Sequence, residues 1–216
     1  VTFLVTAGPT REPIDPVRYI SNRSSGKMGY ALATAAIEAG HHAALITGPV
    51  CIAPPHGAEV IRVTTADEMA DAVQTLMNTG CDVFLMCAAV ADFKPREVSA
   101  QKIKKHDGGG LKSIELIPTR DILASVILPR DHRVIVGGFA AESESLAENA
   151  QKKLREKQCD FICANDITRM DTGFDADHNE ITIFFRDGSQ RNFPRATKLE
   201  IARAIVKICT DIAELR

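Results

Sequence analysis

The chain has 216 residues, 45% hydrophobic and 25% charged, with a formal net charge of −2. That length buries a core without disulfides, and 26 basic against 28 acidic residues exclude a surface committed as a whole to nucleic acid or an anionic membrane. No apolar run approaches the roughly 20 residues of a membrane span, so the chain is read as cytoplasmic, with no nucleic acid and no membrane among its partners.

Residues 2–8, TFLVTAG, form a short apolar run closed by glycine, the pattern of a strand buried on both faces of a parallel sheet. A polar, proline-punctuated stretch follows over 9–26, long for a strand-to-helix loop and therefore a candidate functional segment. The alanine-rich run 28–40 predicts a helix ending at Gly40, and 42–48 and 58–65 predict the next two strands. An amphipathic helix over 66–80 leads to 81–90, the most apolar run of the chain and a fourth strand.

Residues 94–113 make a basic excursion with three consecutive glycines at 108–110, and 113–119 reads as a strand returning from it. A short helix over 121–129, a strand over 133–142, a charged helix over 145–158 and a strand over 160–166 continue the alternation. Asp187-Gly188 marks a hairpin over 180–193, with Phe184 expected as an extra aromatic outside, and 196–215 closes the chain as a helix with an apolar stripe. The alternation predicts one α/β domain over 1–216, an open, mostly parallel Rossmann-like sheet with helices on both faces, a C-terminal hairpin and a basic flap. Cysteines 51, 81, 87, 159, 163 and 209 lack zinc-ligand spacing and read as reduced thiols.

An open parallel sheet binds its ligand at the carboxyl ends of the strands. There the sequence places the 9–26 loop, then Ala88 to Phe93, then Gly137-Gly138-Phe139, then Asn165-Asp166. Ser24-Ser25-Gly26-Lys27 is not a P-loop, because residue 21 is Ser where the first glycine belongs and Met28 replaces the Mg²⁺-binding hydroxyl. At a helix start it still offers backbone N–H groups to an anion. No GxGxxG follows the first strand, which removes most support for hydride chemistry. Lys102, Lys104 and Lys105 in the glycine-bearing segment suit a mobile flap over phosphate charge, whereas Lys153 and Lys157 read by themselves as a solvent-facing helix stripe.

The blocks at 6–29, 88–95 (AAVADFKP), 102–105 (KIKK), 138–142 (GFAAE) and 163–167 (CANDI) together closely resemble the phosphopantothenoylcysteine synthetase family. The resemblance covers essentially the whole chain. It implies a ligase that joins 4′-phosphopantothenate to L-cysteine with CTP, through an acyl-cytidylate, releasing pyrophosphate and then CMP. By resemblance Asn22 orients the intermediate and Lys102 is needed to form it. Ala88, Asp92, Asp121, Ile122, Phe139, Lys153 and Lys157 bind the nucleotide, which reverses the bland reading of the last pair. Thr119-Arg120-Asp121 departs from the family's usual Asn-Pro-Asp, retaining only the aspartate.

The resemblance further implies Mg²⁺ carried by the triphosphate, with no protein metal site, and a homodimer. It also implies either a domain fused to or excised from a flavin-dependent decarboxylase half or a stand-alone synthetase, and a first residue of Val rather than Met favours excision. Two other readings stay open at this stage: an oxidoreductase on a related fold, and a nucleotide-binding module without chemistry.

Overall fold

A computed structural model describes residues 1–104, 113–126, 134–142, 146–166 and 176–215. In chain order the elements begin with β1 (Thr2–Ala7), β2 (Arg11–Pro13), β3 (Tyr19–Ser21), α1 (Lys27–Glu38), β4 (His42–Thr47) and β5 (Glu59–Arg62). They continue with α2 (Ala66–Thr79), β6 (Val83–Met86), β7 (Phe93–Pro95), β8 (Leu116–Pro118), α3 (Ile122–Ser125) and β9 (Ile135–Glu142). The last are α4 (Leu146–Glu156), β10 (Phe161–Asp166), β11 (His178–Phe185), β12 (Gln190–Thr197) and α5 (Lys198–Glu214).

Eight strands form one sheet in the order β12-β11-β10-β9-β6-β1-β4-β5. The six from β10 to β5 are parallel, while β11 and β12 run antiparallel at one end. The doubly wound, Rossmann-like sheet expected from the alternation is thus borne out. Strand order reverses between β1 and β6, and this switch point is where such sheets open a crevice.

Burial on both faces explains the near-continuous apolar strands. Phe3, Val5, Leu45, Leu85 and Ile183 pack under α1 and α5, while Leu4, Ile46, Phe84, Val136 and Ile162 pack under α2, α3 and α4. The same two-sided burial corrects one expectation: Phe184 is not outside but 4% exposed, in the layer with α2 and α4. Only β12 is a free edge at that end, and it carries Arg191, Pro194 and Arg195, which blunt it against further pairing.

The 9–26 segment is not a plain loop, since β2 and β3 pair within it as a small antiparallel sheet. The returning strand β8 pairs with β7, again outside the main sheet. Within the described residues the helix expected over 121–129 is the single turn α3, which Val126 leaves in extended backbone, and 127–129 lie outside them. Residues 105–112 of the basic flap, including Lys105 and the three glycines, lie outside the described residues, as does Ile167.

All six cysteines are free, and only Cys51 is exposed. Burial pushes the Cys81, Cys87 and Cys159 thiols up to about 12 and raises Cys163 and Cys209 further. Since the thiolate is the nucleophile, thiol titration of the native protein is expected to find one fast cysteine and all six only in denaturant. Two or more fast thiols would contradict this burial. Among the described residues no helix is long and apolar enough to cross a membrane.

Candidate active site

The short β6 shows how the site is made. Beyond Met86 the chain leaves the ladder and bonds to the exit of β1 instead. Thr6 Oγ1 accepts from the Cys87 and Ala88 N–H groups at 3.1 Å each, and Ala89 N–H donates to the Gly8 carbonyl at 2.9 Å. Ala91 N–H donates to Thr10 Oγ1 at 3.0 Å. These bonds fix residues 87–92 as one wall of a cleft of about 630 Å³ along the carboxyl ends of the central strands.

Across from it stands the start of α1. Helices α2 and α5 open with Thr-Glu capping boxes, whereas α1 opens at Gly26 (φ 78) with no side-chain cap and no acidic residue in its first turn. Residues 24–29 line the cleft, so the positive end of α1 faces it. A Cβ on Gly29 would lie 2.5 Å from Ala7 Cβ and 2.9 Å from the Thr6 carbonyl, so glycine is what lets α1 lie this close to β1.

Eight of the nine residues singled out from the sequence line this cleft. Asn22 donates through Nδ2 to the carbonyls of Ala89 and Val90 at 3.1 and 3.0 Å, tying the 9–26 segment to the opposite wall. With its donor spent on backbone, its Oδ1 is the atom left for a ligand. Ala88 and Asp92 belong to the wall itself, and the Asp92 carbonyl accepts the Thr119 N–H at 2.9 Å.

Asp121 caps α3 through the Ala124 N–H at 3.0 Å and pairs with Lys157 from beyond α4. Burial raises its carboxyl, but the Lys157 and Ala124 hydrogen bonds and the charges of Lys157 and Lys153 outweigh it and hold the group below the usual range. Ile122, Phe139 and Lys153 complete the lining on that side. Lys102 is the exception. It is exposed and outside the described wall, and the neighbouring Ile103 is held by Asp15 and Arg18.

The cleft also contains residues that sequence reasoning missed. Lys198, the first residue of α5, lies in the wall with Asn179 although it is only 7% exposed. Its one signal was phase, since 198 falls in register with the buried stripe Ile201, Ala202, Ile205 and Cys209. Arg120, which the sequence places in the stretch matching nucleotide contacts, lines the cleft and pairs with Asp71 of α2 at 2.9 Å. The described wall thus carries Lys27, Arg120, Lys153, Lys157 and Lys198 against Asp92 and Asp121, a local excess of positive charge on a chain of net charge −2. Among the described residues no group of three or more His, Cys, Asp or Glu is placed to hold a metal ion.

Fold and cleft together define an α/β protein that presents a cationic ligand site at the switch point of a doubly wound sheet. Within that class the chain belongs to a particular family, matching the DNA/pantothenate metabolism flavoprotein C-terminal domain over residues 1–212. It is 42% identical over 206 residues to the Coenzyme A biosynthesis bifunctional protein CoaBC of Vibrio vulnificus strain YJ016, which covers 95% of this chain and 51% of that protein. To the protein of the same name from Bacillus subtilis strain 168 it is 45% identical over 205 residues, 94% of this chain and 50% of that protein. The chain spans about half the length of these relatives. A crystal structure of the C-terminal domain of Coenzyme A biosynthesis bifunctional protein CoaBC matches with a TM-score of 0.82 and 37% identity, over 100% of this chain and 96% of that one.

Proposed function

We propose that this chain ligates 4′-phosphopantothenate to L-cysteine at the expense of CTP, as a step of coenzyme A biosynthesis. The observation that carries the reading is the convergence of eight of the nine expected residues on one cationic cleft, in a chain of this family. The relatives' name, a bifunctional protein of coenzyme A biosynthesis, supports it, as it supports a flavin-dependent decarboxylase as the other half of a longer polypeptide.

In the first step a carboxylate oxygen of 4′-phosphopantothenate attacks the α-phosphorus of CTP, forming the acyl-cytidylate as the bond to pyrophosphate breaks. In the second the cysteine amine attacks the acyl carbon and loses a proton, and CMP leaves with the electron pair. A carboxylate is a poor electrophile, so the anhydride is what makes amide formation accessible. Negative charge grows on the departing pyrophosphate, and cations held around it stabilise that state more than the free nucleotide.

Lys153 and Lys157 take the nucleotide at the α3 and α4 side, with Asp121 holding Lys157 in place. Phe139 lies beside the base, and the backbone near Ala88 presents the edge that selects cytosine. The positive end of α1 faces the phosphates. Asn22 Oδ1 orients the intermediate, and Lys102 closes over it from the segment anchored at Ile103. Two wall carboxylates, one already paired with Lys157, fit Mg²⁺ carried on phosphate oxygens rather than in a protein cage. The working form is a homodimer.

The test is pyrophosphate release with 4′-phosphopantothenate and Mg²⁺, comparing CTP with ATP, with and without cysteine. Release with CTP, then CMP and the amide once cysteine is added, is the expected result. Release with ATP alone overturns the base assignment. CTP binding without pyrophosphate release reduces the protein to a binding module.

A further inference from the structure

Lys198 is a largely buried lysine. It is the first residue of α5, next to the positive end of that helix, and is 7% exposed. It nevertheless lines the ligand cleft, on the same side as Lys27 and the open start of α1.

Both lysines bond to Asp177, Lys27 through its side chain and Lys198 through its backbone. Lys27 Nζ lies 2.6 Å from Asp177 Oδ1, and the Lys198 N–H donates to the Asp177 carbonyl at 3.0 Å. The pairing of His178 with Thr197 between β11 and β12 fixes this juxtaposition in the sheet. The Asp177 carboxyl is held below its usual range by its hydrogen bond from Lys27 and the charge of Lys27, with a smaller contribution from Lys198. At the other end, burial raises the Cys87 thiol at the close of β6 while the Lys198 charge pulls against it, so the ammonium is felt at the cleft floor. The carboxylate side chain of Asp177 is 78% exposed, a screened and weak competitor for any anion that enters.

The geometry points to Lys198, working with Lys27, as a binding group for the polyphosphate of the nucleotide, with Asp177 as the counter-charge that the phosphates displace. This rests on the nucleotide reading above but assigns a residue outside the resemblance. A charge-assisted bond from a largely buried ammonium to phosphate is stronger than the exposed Lys27–Asp177 pair that the phosphates would break.

The experiment titrates wild type, Lys198→Met, Lys198→Arg and Asp177→Asn with CTP, CMP and inorganic tripolyphosphate by calorimetry, alongside thermal melting. Lys198→Met removes the charge at similar volume and is expected to melt no lower than wild type. It is expected to weaken CTP and tripolyphosphate by about tenfold or more and CMP by less than about twofold. Lys198→Arg is expected to recover part of the loss, and Asp177→Asn to tighten tripolyphosphate by about threefold.

Unchanged tripolyphosphate binding in Lys198→Met, or equal weakening of CTP and CMP, overturns the inference while leaving the nucleotide site intact. If wild type binds tripolyphosphate through Lys198 but no nucleoside triphosphate, the polyphosphate site stands and the ligase reading falls. Failure of wild type to bind tripolyphosphate sinks the inference. Should Lys198→Met not fold, Asp177→Asn decides, and no tightening there overturns it.

Discussion

An Asp15→Asn variant is expected to form the acyl-nucleotide about a hundredfold more slowly than wild type while binding CTP within about threefold. Asp15 is 3% exposed and holds two segments at once. Its Oδ1 accepts the N–H groups of Val17 and Arg18, each at 2.9 Å, closing the turn between β2 and β3. Its Oδ2 accepts the Ile103 N–H at 3.1 Å and pairs with the Arg18 guanidinium, which in turn donates to the Ile103 carbonyl at 3.0 Å. One carboxylate therefore anchors the residue next to Lys102.

The Arg18 guanidinium, followed by these backbone N–H bonds, holds the Asp15 carboxyl well below the usual carboxylate range against the effect of burial. Asparagine keeps the shape but turns an NH₂ toward the Ile103 N–H and the guanidinium, setting donor against donor. The turn survives on Oδ1, whereas the Ile103 anchor does not. With Lys102 in the chemical step, as proposed, its misplacement costs rate more than affinity. A folded pKa below the unfolded value means that the anchor is fully in force above the ordinary carboxylate range and is lost only as pH falls through the folded value. The rate deficit is therefore expected to be flat between about pH 6 and 9. Single-turnover pyrophosphate release at saturating CTP checks this, and a wild-type rate, or a Kd raised by the same factor as the rate falls, would refute it.

What the sequence made legible follows from what fixes each element. The central strands are buried on both faces, so the apolar stretch 83–86 read as core, while 87–90 of the same run leave the ladder to line the cleft where the strand exits meet. Asn22, Asp92 and Asp121 were findable because each lies in a segment leaving a strand or at a helix start, whereas Phe139, inside β9, was named through the family resemblance. The three-residue strands β2, β3 and β7 were not findable, and β8 was expected as a returning strand without its partner. Their pairing depends on distant partners, such as the Ser99 N–H on the Ile14 carbonyl and the Arg96 and Glu115 ion pair, which local propensity does not encode. Phe184 was misplaced because alternation was read as one apolar face, while α4 covers the second face of β11. Lys198 was hidden because a lysine in an amphipathic helix reads as solvated, and only the register of the stripe argued otherwise.

Gly48→Ala is expected to be the most damaging single methyl in the chain, lowering stability by about 3–5 kcal/mol, a large part of the margin of a typical domain. A Cβ at this position would lie 1.7 Å from the Pro9 carbonyl oxygen and 2.8 Å from its carbon. Both obstacles are backbone, so no rotamer relieves them and the exits of β1 and β4 must part. Gly8 repeats the contact from the other side, at φ +74 with its own Cβ position 3.3 Å from the Gly48 carbonyl oxygen.

Moving Pro9 also strains the bridge to Ala89 and, through it, the wall that Asn22 holds. Gly40→Ala supplies the comparison. Gly40, unlike Gly48, has a positive φ, and its Cβ meets nothing within 4 Å, so the expected cost there is only about 1 kcal/mol of left-handed strain. Urea unfolding of the two variants separates a backbone collision from mere conformational preference. If Gly48→Ala loses no more than Gly40→Ala, the crossing of the two strand exits is looser than 1.7 Å allows, and the cleft wall built on it is free to shift.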